Sequence, residues 1–207
     1  MNSTVKIASP LRKVSVLVPV YNDFNRIGKC ISSLLNLNHP KEMYEVIVID
    51  NGSTDGTYEY LSALAQEVKD GSLSLIRCLT PGSYAARNAG LEIAKGDFIA
   101  FTDSDCLVST NWLQNLVSTL EQEAGDVIVA GKVSFFSDSA KRTEQSALDF
   151  ENMFSMKQDN NASNGKCITA NLFCSAELFK KHGRFNEKLK SGGDVEFSQR
   201  VVEGGGK

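Results

Sequence analysis

The side chains best suited to chemistry in this sequence are two carboxylates separated by one residue, Asp103 and Asp105. They follow a short apolar run, residues 98–101, whose composition predicts a buried strand. If the chain leaves this strand in extended form, the two side chains point to the same side, roughly 6–7 Å apart. Two carboxylates so placed can share a divalent cation whose other ligands are phosphate oxygens and water, the arrangement that Mg²⁺ favours. The pair therefore predicts a metal site beside a phosphate-bearing ligand.

Polar residues also follow three other apolar runs, in the segments 19–22, 50–56 and 81–90. In an open parallel sheet, ligands bind beyond the carboxyl ends of the strands. Asp, Asn, Gly and Ser are also ordinary turn residues, so one such segment alone carries little weight. Their recurrence after successive runs predicts that one edge of the sheet is a ligand site.

The elements that must position these residues alternate along the chain. We predict strands at 14–18, 45–49, 73–76 and 98–101, and helices at 26–35, 56–68, 84–94 and 112–123. The strands are apolar almost throughout, as expected when both faces of a sheet are covered. Strand and helix alternating at this spacing indicate βαβ units. The predicted fold class is a three-layer α/β/α arrangement around a mostly parallel sheet.

The pattern becomes less regular after Asp126. We predict strands at 127–130, 133–136 and 168–173, a helix at 140–156, a polar loop at 158–165, and helices at about 175–182 and 195–203. Neither an internal repeat nor a linker separates this part from the rest. We therefore expect an N-terminal tail, residues 1–13, followed by a single domain, residues 14–207.

Composition excludes several classes of protein. Hydrophobic residues make up 42% of the chain and charged residues 23%, the mix of a soluble globular protein. The net charge of -3 leaves no basic footprint for nucleic acid or for an anionic membrane. Five scattered cysteines without a C-x-x-C pair argue against a disulfide framework or a zinc site. We expect a cytoplasmic protein, because the sequence shows neither a signal peptide nor an apolar run long enough to span a bilayer.

Three nucleotide-binding classes do not fit the segment that follows the first strand. A dinucleotide-binding fold needs G-x-G-x-x-G there, but residues 19–23 read Pro-Val-Tyr-Asn-Asp. A P-loop motif occurs nowhere in the sequence. A sugar nucleotidyltransferase would need a Gly-rich, Arg-bearing loop, and residues 22–26 do not form one.

Taken together, five motifs in order resemble those of family 2 glycosyltransferases, from residue 14 to the end of the chain. They lie at 18–22 (VPVYN), 48–56 (VIDNGSTDG), 86–90 (ARNAG), 103–105 (DSD) and 192–197 (GGDVEF), the last followed by Arg200. The resemblance implies a GT-A fold, the Rossmann-like fold of nucleotide-diphospho-sugar transferases. It also implies a nucleotide-diphosphate sugar donor, a divalent cation (Mn²⁺ or Mg²⁺), and inversion at the anomeric carbon.

The resemblance assigns the nucleotide-sugar pocket to the first half of the domain, residues 14–106. Pro19, Tyr21 and Asn22 match family positions that line this pocket. Asp50 matches the position that accepts a hydrogen bond from the base, most often uracil, so a UDP-sugar is the expected donor.

The same resemblance assigns the remaining roles. Arg87 would lie near the base or the diphosphate, and Asp103 would contact the ribose or the sugar. Asp105 would bind the metal ion. Asp194 would be the general base for the acceptor hydroxyl, in an acceptor-side half formed by residues 107–207.

The resemblance also implies partners and a cellular role. The acceptor would be a saccharide or a lipid-linked saccharide, in the synthesis of a cell-surface polysaccharide, cell-wall polymer or glycolipid. The reaction would take place in the cytoplasm or at the cytosolic face of the membrane, through peripheral contact. Two departures matter: Asn51 stands where many members carry a second Asp, and the sequence stops at Lys207, where many members continue. We therefore expect a chain truncated at its C-terminus.

Three alternatives remain open at this point. The chain could be a nucleotide-sugar binding module without transfer activity, for which residues 14–106 would suffice. Asp194 stands at the start of a predicted helix, where an acid is also a good N-cap. Trp112 opens another predicted helix and could either pack in the core or stack on a sugar ring.

Overall fold

The computed structural model describes residues 12–136, 149 and 158–207. Within these residues the strands are β1 (Val14–Val20), β2 (Tyr44–Asp50), β3 (Leu73–Arg77), β4 (Phe98–Phe101), β5 (Ile128–Ala130) and β6 (Leu172–Ser175). They form one sheet in the order β3-β2-β1-β4-β6-β5. The pairs from β3 to β4 are parallel, and β6 runs antiparallel to both β4 and β5.

Helices cover both faces of the sheet. The described α-helices are α1 (Phe24–Leu35), α2 (Thr57–Glu67), α3 (Ser83–Ile93), α4 (Trp112–Glu121), α5 (Gln158–Ala162), α6 (Glu177–His182) and α7 (Gly193–Glu203). One hydrophobic cluster joins α1, α2 and α4 to one face, and a second joins α3, α6 and α7 to the other. The predicted three-layer α/β architecture with a mostly parallel sheet is therefore confirmed.

Burial explains the composition of the strands. Every residue of β1, β2 and β4 is buried, as the near-continuous apolar runs predict. The buried polar side chains of β1 and β2 at this point have partners: Ser15 donates to Glu45 Oε1 at 2.6 Å, and the backbone N–H of Lys95 donates to the same oxygen at 2.8 Å. The edge strands β3 and β5 are partly exposed.

The structure corrects three predictions in the second half of the chain. Residues 133–136 do not form a strand. The segment 158–165 is not only a loop, because it begins with α5 (Gln158–Ala162). The strand predicted at 168–173 is divided between a 3₁₀ turn, Thr169–Asn171, and β6.

Two further predictions lie largely outside the described residues. Of the helix predicted at 140–156, only residue 149 is described, and it is helical. Of the predicted tail, residues 1–13, the structure describes residues 12 and 13. None of the described helices is both long enough and apolar enough to cross a membrane.

Candidate functional site

Asn22 connects the loop after β1 to the loop after β2 through two hydrogen bonds. This residue adopts a left-handed backbone with φ 49°, a conformation that Asn tolerates better than most residues. Its backbone N–H donates to Ser53 Oγ at 2.9 Å, and its Oδ1 accepts from the backbone N–H of Thr54 at 2.8 Å. Pro19 is buried in β1, whereas the Tyr21 side chain beside it is 61% exposed. A rigid turn thus presents an exposed aromatic ring at the carboxyl edge of the sheet.

Asp50 closes the end of β2 and is fully buried. Its carboxylate accepts from the backbone N–H groups of Gly52 at 3.2 Å and Ser53 at 3.3 Å. Arg77 Nε lies 3.3 Å from Asp50 Oδ2, and its guanidinium stacks over the ring of Tyr58. Asp50 therefore shapes the loop after β2, and its contact with a base stays a prediction.

Asn51 connects this loop to the next one. Its side-chain amide donates to the carbonyls of Cys78 at 2.9 Å and Thr80 at 2.8 Å. Its Oδ1 accepts from the backbone N–H of Gly82 at 2.9 Å, just before α3. An aspartate at this position has no donor for the two carbonyls. Asn51, which departs from the family pattern, therefore makes two hydrogen bonds that an aspartate could not make.

The buried Arg87 and the partly exposed Asp103 form an ion pair beside the end of β4. Arg87 Nη2 donates to Asp103 Oδ1 at 2.6 Å, and the arginine side chain is 6% exposed. Arg87 Nε is buried and lacks a hydrogen-bond partner among the described residues, which is uncommon for a buried donor. Burial raises the pKa of Asp103, Arg87 opposes that effect, and the nearby charges of Asp105 and Asp194 add to it.

Asp105 lies in a turn, so the expectation that residues 103–105 leave the strand in extended form is wrong. The backbone N–H of Cys106 donates to the carbonyl of Asp103 at 3.1 Å and closes the turn. Asp105 Oδ2 accepts from Arg26 Nη1 at 3.0 Å, and Arg26 Nε also binds Asp23 at 2.5 Å. Asp23 in turn accepts from Ser104 Oγ at 2.6 Å. The start of α1 and the 103–105 turn are thus held together by a network of charges.

Asp103 and Asp105 can each offer a carboxylate oxygen to a divalent cation, but both acids already have a cationic neighbour. Arg87 binds one oxygen of Asp103 and Arg26 binds one oxygen of Asp105, so two cationic groups already stand beside the two acids. The other oxygen of each carboxylate is not engaged by these arginines. No group of three or more His, Cys, Asp or Glu side chains among the described residues could hold a metal. A cation here would need ligands from a bound phosphate as well, as Mg²⁺ sites commonly do.

Asp194 lies at the start of α7 and is held by contacts from distant parts of the chain. Its Oδ1 accepts from the hydroxyl of Tyr84 at 3.2 Å and from the backbone N–H of Val195 at 3.0 Å. Its Oδ2 accepts from the backbone N–H of Thr169 at 3.1 Å. The N-cap alternative is wrong, because Gly192 occupies the N-cap and Asp194 is the second residue of the helix.

A cleft of about 760 Å³ opens beside the 103–105 turn. Its lining includes Arg26 and Lys29 from α1 and Lys132 after β5, as well as Asp103 and Asp105, so charges of both signs line the cleft. Trp112 and Asn171 also line it, and Trp112 Nε1 donates to Asn171 Oδ1 at 2.9 Å. Trp112 is only 7% exposed and belongs to the hydrophobic core, so the core interpretation of this residue is confirmed.

The structure adds residues to which the sequence analysis gave no role. Arg26 lies one helical turn after Asp23, an i,i+3 pair that could have been detected in the sequence. Tyr84 and Thr169 contact Asp194 from 110 and 25 residues away, so no local pattern could have revealed them. The partner of Asp50, Arg77, ends the neighbouring strand and becomes visible only when the strand register is known.

Comparison with known sequences gives a family. The sequence model of Glycosyl transferase family 2 matches residues 15–183. Among curated proteins, the glycosyltransferase AglE of Haloferax volcanii is 37% identical over 199 residues, 96% of this chain. The chain spans 64% of the length of that relative.

Comparison with solved structures gives the fold. TarS of Staphylococcus aureus, in its complex with UDP-GlcNAc, aligns with a TM-score of 0.67 at 24% identity, over 91% of this chain and 53% of that one. The mannosyltransferase PcManGT of Pyrobaculum calidifontis, in complex with GDP-Man and Mn²⁺, aligns with a TM-score of 0.69 at 22% identity, over 94% of this chain and 52% of that one. Both are GT-A glycosyltransferases, and the predicted GT-A fold is confirmed. Because the family match covers most of the sequence and the fold agrees with it, this chain belongs to Glycosyl transferase family 2.

Proposed function

We propose that this chain is an inverting glycosyltransferase that moves a sugar from a UDP-sugar to an acceptor hydroxyl. The observation that carries the proposal is the meeting of three acids at one edge of the sheet. Arg87 binds Asp103, which is two residues from Asp105, and the Arg87 guanidinium lies over the ring of Tyr84, whose hydroxyl contacts Asp194. A diphosphate, a cation and a sugar hydroxyl are the groups that such a set can bind together.

The nucleotide is assigned to the carboxyl ends of β1 and β2. Tyr21 offers an exposed ring for stacking on a base, on a backbone held by Asn22 and Pro19. Asp50 supplies the acceptor for the base, and Arg87 supplies a buried donor for the diphosphate. The structural neighbours in complex with UDP-GlcNAc and with GDP-Man support a nucleotide-sugar donor, and the choice of uracil rests on Asp50.

Asp105, together with Asp103, would hold the divalent cation. When bound there, a Mn²⁺ or Mg²⁺ ion supplies Lewis-acid stabilisation to the departing nucleoside diphosphate. The structural neighbour in complex with Mn²⁺ supports this assignment.

Asp194 is proposed as the general base. The acceptor hydroxyl oxygen attacks the anomeric carbon from the face opposite the diphosphate, and the bond from that carbon to the diphosphate oxygen breaks. Asp194 takes the hydroxyl proton as the new C–O bond forms, and the products are an inverted glycoside and a nucleoside diphosphate. The acceptor class, the role in cell-surface polysaccharide or glycolipid synthesis, and the cytosolic location stay predictions.

The proposal is tested by measuring donor binding and sugar transfer separately. We expect UDP-sugars with Mn²⁺ to raise the melting temperature more than GDP- or ADP-sugars do, because a ligand stabilises the folded state that binds it. Asp194→Asn should keep this shift and lower transfer at least ~100-fold, the usual contribution of a general base. Glu203→Gln, the same charge change at the exposed far end of α7, is the matched control.

The outcomes separate the candidate functions. Transfer that survives Asp194→Asn removes Asp194 as the base. A wild-type chain that binds donor with Mn²⁺ but never transfers sugar, with any acceptor of a broad saccharide and glycolipid panel, is the binding module considered above. A chain that shows no shift with any nucleotide sugar contradicts the whole proposal.

A further inference from the structure

Tyr84 joins the two halves of the proposed site. It is the second residue of α3, three residues before Arg87, and it is 6% exposed. The Arg87 guanidinium lies over its ring, 5.7 Å from the ring centre, and the ring of Phe185 packs against it at 5.8 Å. The side chain is therefore fixed on its donor side by a residue of the proposed diphosphate site.

The hydroxyl of Tyr84 points to the start of α7. It accepts from the backbone N–H of Gly193 at 2.8 Å and lies 3.2 Å from Asp194 Oδ1. A backbone N–H can only donate, so the hydroxyl must be the acceptor in the first contact. The single hydroxyl proton is then directed to the Asp194 carboxylate. Burial, and next the charge of Asp194, raises the pKa of Tyr84, so the phenol stays protonated and keeps this donor.

The contacts of Asp194 distinguish its two oxygens. Oδ1 receives two donors, the hydroxyl of Tyr84 and the N–H of Val195. Among the described residues, Oδ2 receives one, the N–H of Thr169. Because a carboxylate oxygen has two lone pairs, the contacts within the described part of the chain fill both lone pairs of Oδ1 and one lone pair of Oδ2. Oδ2 is thus the oxygen that can take a proton from an acceptor.

We propose that Tyr84 is a positioning residue that holds Asp194 with Oδ1 blocked and Oδ2 free for the acceptor hydroxyl. This inference rests on the proposed role of Asp194 as general base. It assigns to Tyr84 no contact with the substrate and no proton transfer of its own. The close approach of Gly193 to the Tyr84 ring agrees with it, since a Cβ on Gly193 would lie 2.7 Å from a ring carbon.

The test compares Tyr84→Phe with wild type in steady-state transfer assays. Phe keeps the ring under Arg87 and removes the hydroxyl alone. A hydrogen bond to a charged group contributes enough to change a rate about 10- to 100-fold, so we expect kcat to fall by that factor. The donor KM should stay within about twofold, because the nucleotide contacts are untouched. Tyr44→Phe, which removes a buried hydroxyl bonded to the Leu34 carbonyl far from the site, is the matched control.

A double-mutant cycle with Asp194→Asn completes the test. If Tyr84 acts only through Asp194, adding Tyr84→Phe to Asp194→Asn should cause no further loss of transfer. Wild-type kcat in Tyr84→Phe, a loss in donor KM alone, or a full additional loss in the double variant would each overturn the inference. If Asp194→Asn keeps wild-type transfer, Asp194 is not the general base, and the inference about Tyr84 is overturned together with it. The Asp194→Asn variant is therefore measured first.

Discussion

At the scale of single residues, each acid of the 103–105 turn pairs with its own arginine, and the two ion pairs differ in their exposure to solvent. Arg87 is 6% exposed and Asp103 34%, so their pair is better shielded from water and salt than a pair on the surface. Arg26 is 61% exposed and Asp105 46%, and an ion pair this open contributes only about 0–1 kcal/mol. Asp105 can therefore exchange Arg26 for another cation at little cost, whereas Asp103 keeps its arginine.

This difference leads to a prediction for Asp105. Asp105→Asn should abolish the Mn²⁺-dependent part of donor binding, because the amide replaces the anionic ligand proposed for the cation. The free energy of unfolding should change by less than about 1 kcal/mol, as expected for an exposed pair. Isothermal titration of UDP-sugar with and without Mn²⁺, together with urea unfolding, measures both effects.

The control for this variant lies at the other end of the same strand. Asp97 precedes β4 and pairs with Arg12 on the surface, so Asp97→Asn should leave metal-dependent binding unchanged. Donor binding that still responds fully to Mn²⁺ in Asp105→Asn would show that the cation is held elsewhere.

At the scale of elements, the site depends on loops that are tied to one another. Asn51, after β2, bonds to both ends of the loop that leads from β3 into α3. Asn22, after β1, bonds to the loop after β2. Three consecutive strand ends are thus linked side by side, and a nucleotide bound across them would meet one connected surface.

Asn51→Asp tests this linkage. The variant carries the residue that many family members have, but it loses both donors to the Cys78 and Thr80 carbonyls. Two hydrogen bonds at about 0.5–1.5 kcal/mol each predict a loss of about 1–3 kcal/mol in the free energy of unfolding. Asn38→Asp, whose amide donates only to the exposed Asn111 side chain, should be nearly neutral. Urea unfolding measures both variants, and equal stabilities would show that the linkage contributes nothing.

The elements also show what the sequence could predict. Strands and helices up to residue 123 were predicted within a few residues, because parallel buried strands leave near-continuous apolar runs such as β1. The elements of the second half are harder to predict, because some of its polar side chains are buried and bind backbone groups. Gln158 has a polar neighbourhood in the sequence, but its side chain is buried and binds the backbone of Ile168 and Asn171. A polar composition therefore concealed α5.

The strand predicted at 133–136 failed for a related reason. The sheet ends at Ala130, where the backbone N–H of Gly131 donates to the carbonyl of Asn171. The Asn171 side chain then binds the carbonyl of Lys132 at 3.0 Å, in place of a ladder partner. A side chain 39 residues away thus ends the strand pairing, and no local apolar pattern records it.

The roles of the predicted site residues stay predictions, and the sequence could not show the contacts that these residues make. Arg87, Asp103 and Asp194 could be singled out in the sequence, but it does not show that Thr169, which lies just before the antiparallel strand β6, donates to Asp194. Tyr84 has no local signature, and its importance follows only from the tertiary approach of α3 to α7.

At the scale of the whole molecule, the second half of the sheet is fastened by Asp126, which precedes β5. Its Oδ2 lies 2.5 Å from Lys181 Nζ and 2.8 Å from His182 Nε2, both at the end of α6. Its carbonyl accepts from the backbone N–H of Lys207 at 2.9 Å, and the Lys207 carbonyl accepts from Ile128 at 2.9 Å. One residue thus connects β5, α6 and the segment after α7, the helix that carries Asp194.

The charge of Asp126 makes this connection dependent on pH. Hydrogen bonds from Lys181 and then His182 hold the pKa of Asp126 below its ordinary value, which is about 3.9 in an unfolded chain. A carboxyl with a lowered folded-state pKa stabilises the protein fully above the unfolded value. That stabilisation is lost as the pH falls through the folded-state value.

Asp126→Asn should therefore unfold at lower urea concentration than wild type at pH 7, and the difference should shrink as the pH falls below about 4, because the wild-type carboxyl then becomes neutral as well. Urea titrations at steps from pH 7 downward measure the two midpoints. Glu177→Gln is the matched control, because its pair with Lys180 lies on the surface with both side chains more than 70% exposed, and it should be neutral at every pH. A difference between Asp126→Asn and wild type that stays constant across this range would show that the effect does not arise from the charge of the carboxylate.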